Sequence, residues 1–431
     1  MYRKIIDRLY ALNPNTVKLG LENISKLLEH LDNPHKRLNT IHIAGTNGKG
    51  STAFFLNSIF NSAGYKTGLY LSPHLIDISE RIIVGNDCIP EEKFTELTEY
   101  IFCVIEKDRL SATFFEFVTA LAFLYFFQEK VDIGIIEVGL GGRLDATNVL
   151  TPMVSVITEI GLEHTHYLGT SIREIAMEKG GVIKSKGTVF ISAENEEAVA
   201  AIKNISEKKG ASCFQYEKDF VIDQHDEELP PNTKKLLLPQ TFSLRFREHE
   251  FEKLEIKTAG TFQIKNSSTA VAVALYLSEK YHAINENSIC EGLKNTKIPC
   301  RMELMQKSPQ IALDVAHNFQ AIQVLIENVP LFFTYKRLIV ILGILDDKDY
   351  KKIIKVLSSK TDTFIMTEPK TERALSARLL KNEASVYHKR TFVEKEISKA
   401  LNLAKDIAGP DDLILVTGSF YTVGEALSEL S

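Results

Sequence analysis

The sequence predicts an α/β protein in two unequal parts: an N-terminal doubly wound domain with a small antiparallel sheet (residues 1–296), and a smaller C-terminal α/β domain (residues 297–431). Three observations predict it. A length of 431 residues exceeds what one compact core usually serves. Short apolar runs alternate with segments whose apolar residues recur at helical spacing, the pattern of a parallel sheet covered by helices. The helical pattern breaks at Thr296-Lys297-Ile298-Pro299-Cys300-Arg301, the expected hinge, and apolar runs resume at 310–315, 338–342, 363–367 and 412–416.

Residues 5–12 and 19–31 carry apolar positions at helical spacing, interrupted by Asn13-Pro14-Asn15, and read as a helical hairpin packed on the sheet edge. Ile41–Ala44 is a short β-type run feeding Gly45-Thr46-Asn47-Gly48-Lys49-Gly50-Ser51-Thr52, after which 53–60 reads as a helix. That order aims backbone N–H groups and a helix N-terminus at one point beside the Lys49 ammonium, a cradle for nucleotide phosphate. The loop departs from G-x-x-x-x-G-K-[ST], because Ile43 stands at the first Gly and Gly50 separates Lys49 from Ser51. Residues 66–71 form the next strand and end at Ser72-Pro73-His74-Leu75, which puts the ligand loop at the carboxyl edge of a doubly wound sheet. Helices over 91–107 and 114–129 precede a buried strand at 131–138, interrupted by Glu137. An unpaired buried carboxylate costs several kcal/mol, and bound Mg²⁺ would supply the partner. Strands at 154–158 and 188–192 and helices at 171–180 and 195–209 continue the pattern. The polar stretch 211–258, with Pro230-Pro231 and the alternating run 242–246, reads as a small antiparallel sheet, and helices at 262–280 and 286–295 close the domain.

The totals exclude several classes. A net charge of -5 supplies no positive field to draw in nucleic acid or a membrane surface. Five widely spaced cysteines without a C-x-x-C pair fit reduced thiols in the cytoplasm. Arg3, Lys4, Asp7 and Arg8 bring charge too early for a signal core, and no run of about 18 apolar residues occurs.

The string Ala44-Gly45-Thr46-Asn47-Gly48-Lys49-Gly50-Ser51 resembles the P-loop of the Mur-ligase family, in particular its folate branch. The segment 17–24, Gly161-Leu162-Glu163-His164 through Gly169, Met177–Gly181, Pro299–Glu303, Asp314-Val315-Ala316-His317-Asn318, Leu345–Asp349 and Thr417–Glu425 extend the resemblance over roughly residues 17 to 425. Three positions depart from the family pattern: Glu163 stands where Asp is common, Cys300 where Gly is usual and Phe319 where Pro is usual.

The resemblance implies ATP held by Thr46, Asn47, Gly48, Lys49, Gly50 and Ser51, with Asn266, Arg301 and Asp314 completing the nucleotide site. It implies Mg²⁺, two ions in the family arrangement, on Ser72, Glu137 and His164. Lys49, Lys179 and His317 would be catalytic, with Lys179 carbamylated by CO₂. On composition alone Lys179 is a solvated helix lysine. The pterin side falls on Thr113, Phe114, Phe115 and Glu116 and on Leu144, Asp145 and Ala146. Aromatic rings stack on a flat pterin and a carboxylate accepts from its amino groups, yet residues 114–127 are apolar nearly all round and serve equally as core.

The implied activity is ATP-dependent amide ligation. L-glutamate is added to dihydropteroate and to reduced folates through an acyl phosphate, in a cytoplasmic monomer. Folylpolyglutamate synthesis alone is the alternative. A cell-wall Mur ligase usually carries an extra N-terminal domain, whereas this P-loop begins by residue 45, and a P-loop ATPase switch would leave Asp314 and His317 without a purpose.

Overall fold

The computed structural model describes residues 2–14, 16, 18–224, 239–387 and 390–431; Asn15, Val17 and Pro230-Pro231 lie outside the described residues. The strands are β1 (Thr40–Ala44), β2 (Thr67–Tyr70), β3 (Ile82–Val84), β4 (Asp87–Cys88), β5 (Ile133–Glu137), β6 (Val154–Ile157), β7 (Thr188–Ile191), β8 (Ser212–Gln215), β9 (Phe220–Gln224), β10 (Gln240–Phe246), β11 (His249–Ile256), β12 (Glu303–Lys307), β13 (Gln310–Leu313), β14 (Leu338–Leu342), β15 (Thr363–Met366), β16 (Thr391–Val393) and β17 (Leu413–Thr417).

The first eight make one sheet in the order β4-β3-β2-β5-β1-β6-β7-β8. Its core from β2 to β8 is parallel, while β3 and β4 turn back as an antiparallel edge. Ile43 of β1 pairs with Glu137 of β5 and Val156 of β6, so these strands end level with one another. Their carboxyl ends form the floor of the site, where ligands of open α/β sheets gather. Side chains alternate across the sheet: Ile41, Ile43 and Ile135 enter the core with Phe55, Phe60 and Val271, and Ile136 enters another with Phe117 and Phe123.

Two expectations need correction. Ile5, Leu9, Ile24 and Leu27 share a core with Phe94, Leu97 and Phe117, so the N-terminal helices Tyr2–Tyr10 and Glu22–His30 pack on the helices Glu91–Asp108 and Phe114–Gln128 and not on the sheet edge. The stretch 211–258 divides: β8 extends the main sheet parallel to β7, and only β9, β10 and β11 form the antiparallel sheet, whose Phe220, Phe242 and Phe246 join Phe190 in one core.

Residues after the helix Glu286–Asn295 lead into a second sheet, β12-β13-β17-β14-β15-β16, parallel except at β12. The final helix, Phe420–Leu430, leans back on the first sheet's side. A Cβ at Gly424 would lie 2.0 Å from the Leu75 carbonyl oxygen. No helix among the described residues is long and apolar enough to cross a membrane.

Candidate active site

The P-loop leaves β1 and is fastened to the chain that follows β6. The Thr46 hydroxyl donates to the Gly161 carbonyl at 3.1 Å and accepts from its N–H at 3.0 Å. Thr46 N–H donates to the Glu159 carbonyl at 2.6 Å, and the Thr158 hydroxyl donates to that of Asn47 at 2.8 Å. Gly48 has φ +90, and a Cβ there would stand 2.6 Å from Asn266 Oδ1. Only glycine meets both demands. The helix Lys49–Ser62 begins at the next residue, so its free N–H groups and Lys49 face the space above β1. Asn266 is buried against this loop and not on a solvated face.

Two lysines serve the loop. Lys49 Nζ donates to the Thr46 carbonyl at 3.2 Å and lies 3.8 Å from Glu137 Oε1. Lys179 is buried and donates to the Gly45 carbonyl at 2.7 Å. Burial, then the charge of Lys49, lowers its pKa to about 7.

Glu137, 5% exposed, accepts from the Ser72 N–H at 3.1 Å. Burial pushes its carboxyl up, with Lys49 the strongest opposing charge. Among the described residues no group of three or more His, Cys, Asp and Glu is arranged to hold a metal by itself. Mg²⁺ does not need one, because it binds through one or two protein groups plus phosphate oxygens. A buried carboxylate seeking positive charge fits that demand. His164 also fits as a neutral ligand, burial having lowered its pKa to about 4.

The second lobe closes over this floor. Glu163 Oε1 accepts from His317 Nε2 at 3.1 Å and from Lys348 Nζ at 3.2 Å. Burial works against its charge, yet His317 and Lys348 hold the carboxyl well below the usual range. Asn47 of the P-loop and Asn318 exchange side-chain amide hydrogen bonds at 3.0 and 3.4 Å. Asn318 also caps the helix Phe319–Phe332, accepting from the Ala321 N–H, which keeps that helix start in place without the usual Pro. Motif spacing assigns no role to Asn318 or Lys348, although both lie inside matched strings.

Arg301 follows Cys300, whose φ of +52 explains why Gly is usual there. Asp314 is buried, and its two oxygens accept the backbone N–H groups of Met302 at 2.9 Å and Ala316 at 2.8 Å. Its visible work is to hold the turn that presents Arg301. Both residues line the cleft.

The pterin assignments separate. Thr113 and Glu116 form a reciprocal capping box, with Thr113 N–H donating to Glu116 at 2.7 Å and Glu116 N–H to Thr113 at 3.3 Å. Phe114 does not reach the cleft. It is 2% exposed and stacks on Tyr10, with ring centroids 5.6 Å apart. Phe115 does line the cleft, as do Thr113, Glu116, Leu144, Asp145 and Ala146. Asp145 is occupied locally, accepting the N–H groups of Leu140 and Thr147.

P-loop, Ser72, Glu137, His164, Arg301 and His317 thus face one cleft of about 1060 Å³. On its β6–β7 side, Lys265 binds Glu159 and Glu194 at 2.6 Å each, a triad no motif points to.

Comparison with known proteins agrees with this geometry. The Mur ligase middle domain model matches residues 43–274, and the Mur ligase glutamate ligase domain model matches residues 300–420. A dihydrofolate synthase/folylpolyglutamate synthase of Bacillus subtilis is 33% identical, covering 96% of this chain and 95% of its own length. A folylpolyglutamate synthase of Lacticaseibacillus casei is 32% identical over 95% and 94%. Escherichia coli FolC, solved in complex with DHPP and ADP, superposes with a TM-score of 0.87 at 29% identity, over 99% of this chain and 97% of that one. The Thermotoga maritima folylpolyglutamate synthase gives 0.84 at 33% identity, over 100% and 96%. Fold, cleft and full-length similarity coincide, and the chain belongs to the Mur ligase family, in its dihydrofolate synthase/folylpolyglutamate synthase branch.

Proposed function

We propose that this protein joins L-glutamate to dihydropteroate and to reduced folates at the expense of ATP, with residues 1–296 as the ATP-binding domain and 297–431 as its partner across the cleft. The observation that carries the reading is the meeting of Lys49 and Glu137 on one wall with Arg301 and His317 on the other. The relatives' names support it, as does the solved FolC complex with DHPP and ADP.

The P-loop N–H groups, Asn266 and Arg301 hold the triphosphate so that its γ-phosphorus meets the carboxylate of an acceptor whose pterin lies along Phe115, Leu144 and Ala146. The carboxylate oxygen attacks that phosphorus, ADP leaves, and an acyl phosphate results. The α-amine of glutamate then attacks the acyl carbon, loses a proton, and expels phosphate to leave the amide. Lys49 and Arg301 balance charge on the transferring group, and the closed lobes keep water from the acyl phosphate. Mg²⁺, held by Glu137, His164 and Ser72 with phosphate oxygens, would neutralise further charge there. Lys179, with its lowered pKa, is suited to capture CO₂ as a carbamate: the neutral amine bonds to carbon and sheds a proton. A reducing, cytoplasmic setting fits the five free cysteines, and the protein acts as a monomer.

The test supplies ATP, Mg²⁺, labelled glutamate and either dihydropteroate or tetrahydrofolate. Amide product is expected with each acceptor. Product without an acceptor, or lysine or alanine entering as readily as glutamate, overturns the reading.

A further inference from the structure

Arg81 ends the short helical turn Ile78–Arg81 ahead of β3, and no motif singles it out. It is 8% exposed and lines the cleft. Its Nε–H donates to His74 Nδ1 at 2.9 Å. Because Nδ1 accepts, Nε2 carries the imidazole proton, and it faces the Tyr10 hydroxyl at 3.2 Å. The guanidinium stands 5.4 Å from the centroid of the Phe114 ring. The turn is itself braced: Glu80 accepts the N–H groups of Leu75, Ile76 and Asp77. So the stem is fixed on three sides. Among the described residues, however, no carboxylate pairs with Arg81, and its two terminal nitrogens have no hydrogen-bond acceptor. A buried guanidinium held this firmly, with the charge of Glu137 acting on it only from beyond pairing distance, is a receptor for a planar anion.

Its position says which anion. From β1, which carries the P-loop, the sheet runs through β5 and β2 to β3, three strand spacings or about 14 Å. The carboxylate that receives phosphate must lie over β1 and β5, beside Lys49 and Glu137. An anion clamped by Arg81 is displaced outward along the same wall. A reduced folate ends in glutamate, which offers a second carboxylate besides the reacting one; dihydropteroate ends in a single carboxylate.

We propose that Arg81, oriented by His74, binds the non-reacting α-carboxylate of a glutamate-bearing acceptor and so governs the reduced-folate reaction more than the dihydropteroate reaction. The assignment rests on the ligase reading above. His74 is a positioning residue: it touches no substrate and acts by aiming the guanidinium.

The test uses the full-length protein with three acceptors: dihydropteroate, tetrahydrofolate, and tetrahydrofolate whose glutamate α-carboxylate is a carboxamide. With wild type the carboxamide should raise KM by about ten- to a hundredfold, the worth of a charge-assisted pair. Arg81→Gln should raise KM for tetrahydrofolate by a similar factor, move that for dihydropteroate far less, and make the carboxamide indistinguishable from the parent. Arg81→Lys should fall between. A wild-type enzyme indifferent to the carboxamide overturns the assignment even if every Arg81 variant fails to fold. So does an Arg81→Gln protein slowed equally with both natural acceptors. Wild type that ligates glutamate to neither acceptor sinks the ligase reading, and this assignment with it.

Discussion

The two walls of the cleft are built by opposite means. The near wall is local: backbone N–H groups, Lys49 and the helix behind it are contiguous in sequence and tied to the end of β6. The far wall is assembled at a distance: Glu163, from the first lobe, accepts from both His317 and Lys348 of the second. A cradle of the first kind is ready before any ligand arrives. One of the second kind exists only while the lobes are docked.

The largest effect should come from breaking the near wall. Lys49→Ala and Glu137→Gln should each lower kcat by about a hundred- to a thousandfold in the labelled-glutamate assay, with melting temperatures little changed. Wild-type rates in either would end the assignment of that wall. Lys179 comes next. With its pKa lowered to about 7, the neutral amine that the proposed carbamate requires grows from a small minority at pH 6 to a large majority at pH 8. Activity should rise across that window, fall in CO₂-depleted buffer and return with bicarbonate. Lys179→Arg, cationic throughout, should be slow and indifferent to bicarbonate. Breaking the far wall should cost less. Glu163→Gln weakens the hold on Lys348 and His317, so kcat/KM should fall about tenfold and the radius of gyration by small-angle scattering should increase. The smallest effect belongs to the turn beneath Arg301. Cys300→Gly should be more stable than Cys300→Ala by about 1 kcal/mol in denaturant melts, because only glycine holds a φ near +52 without strain.

The same division decides what could be read from the chain. The P-loop, the strand carrying Glu137 and the alternation of strands and helices depend on neighbours in sequence, and all are visible there. Phe114 and Phe115 show where that stops. On a helix apolar nearly all round, nothing sets the phase, and only packing sends the first to Tyr10 and the second to the cleft. Thr113 and Glu116 carry a capping-box signature that is local and legible, beneath a ligand role suggested by resemblance. Glu163 is the opposite case, since its partners lie in another lobe and no spacing rule reaches them. Cys300 and Asn266 likewise follow from conformation and docking, not composition.

The close approach of Gly424 to the Leu75 carbonyl carries a consequence for how far the jaws can shut. Their spacing at that corner is limited by main chain against main chain, so a missing methyl group acts as the stop. Adding one would wedge the whole mouth ajar, and a substitution remote from every reacting atom would be felt at all of them.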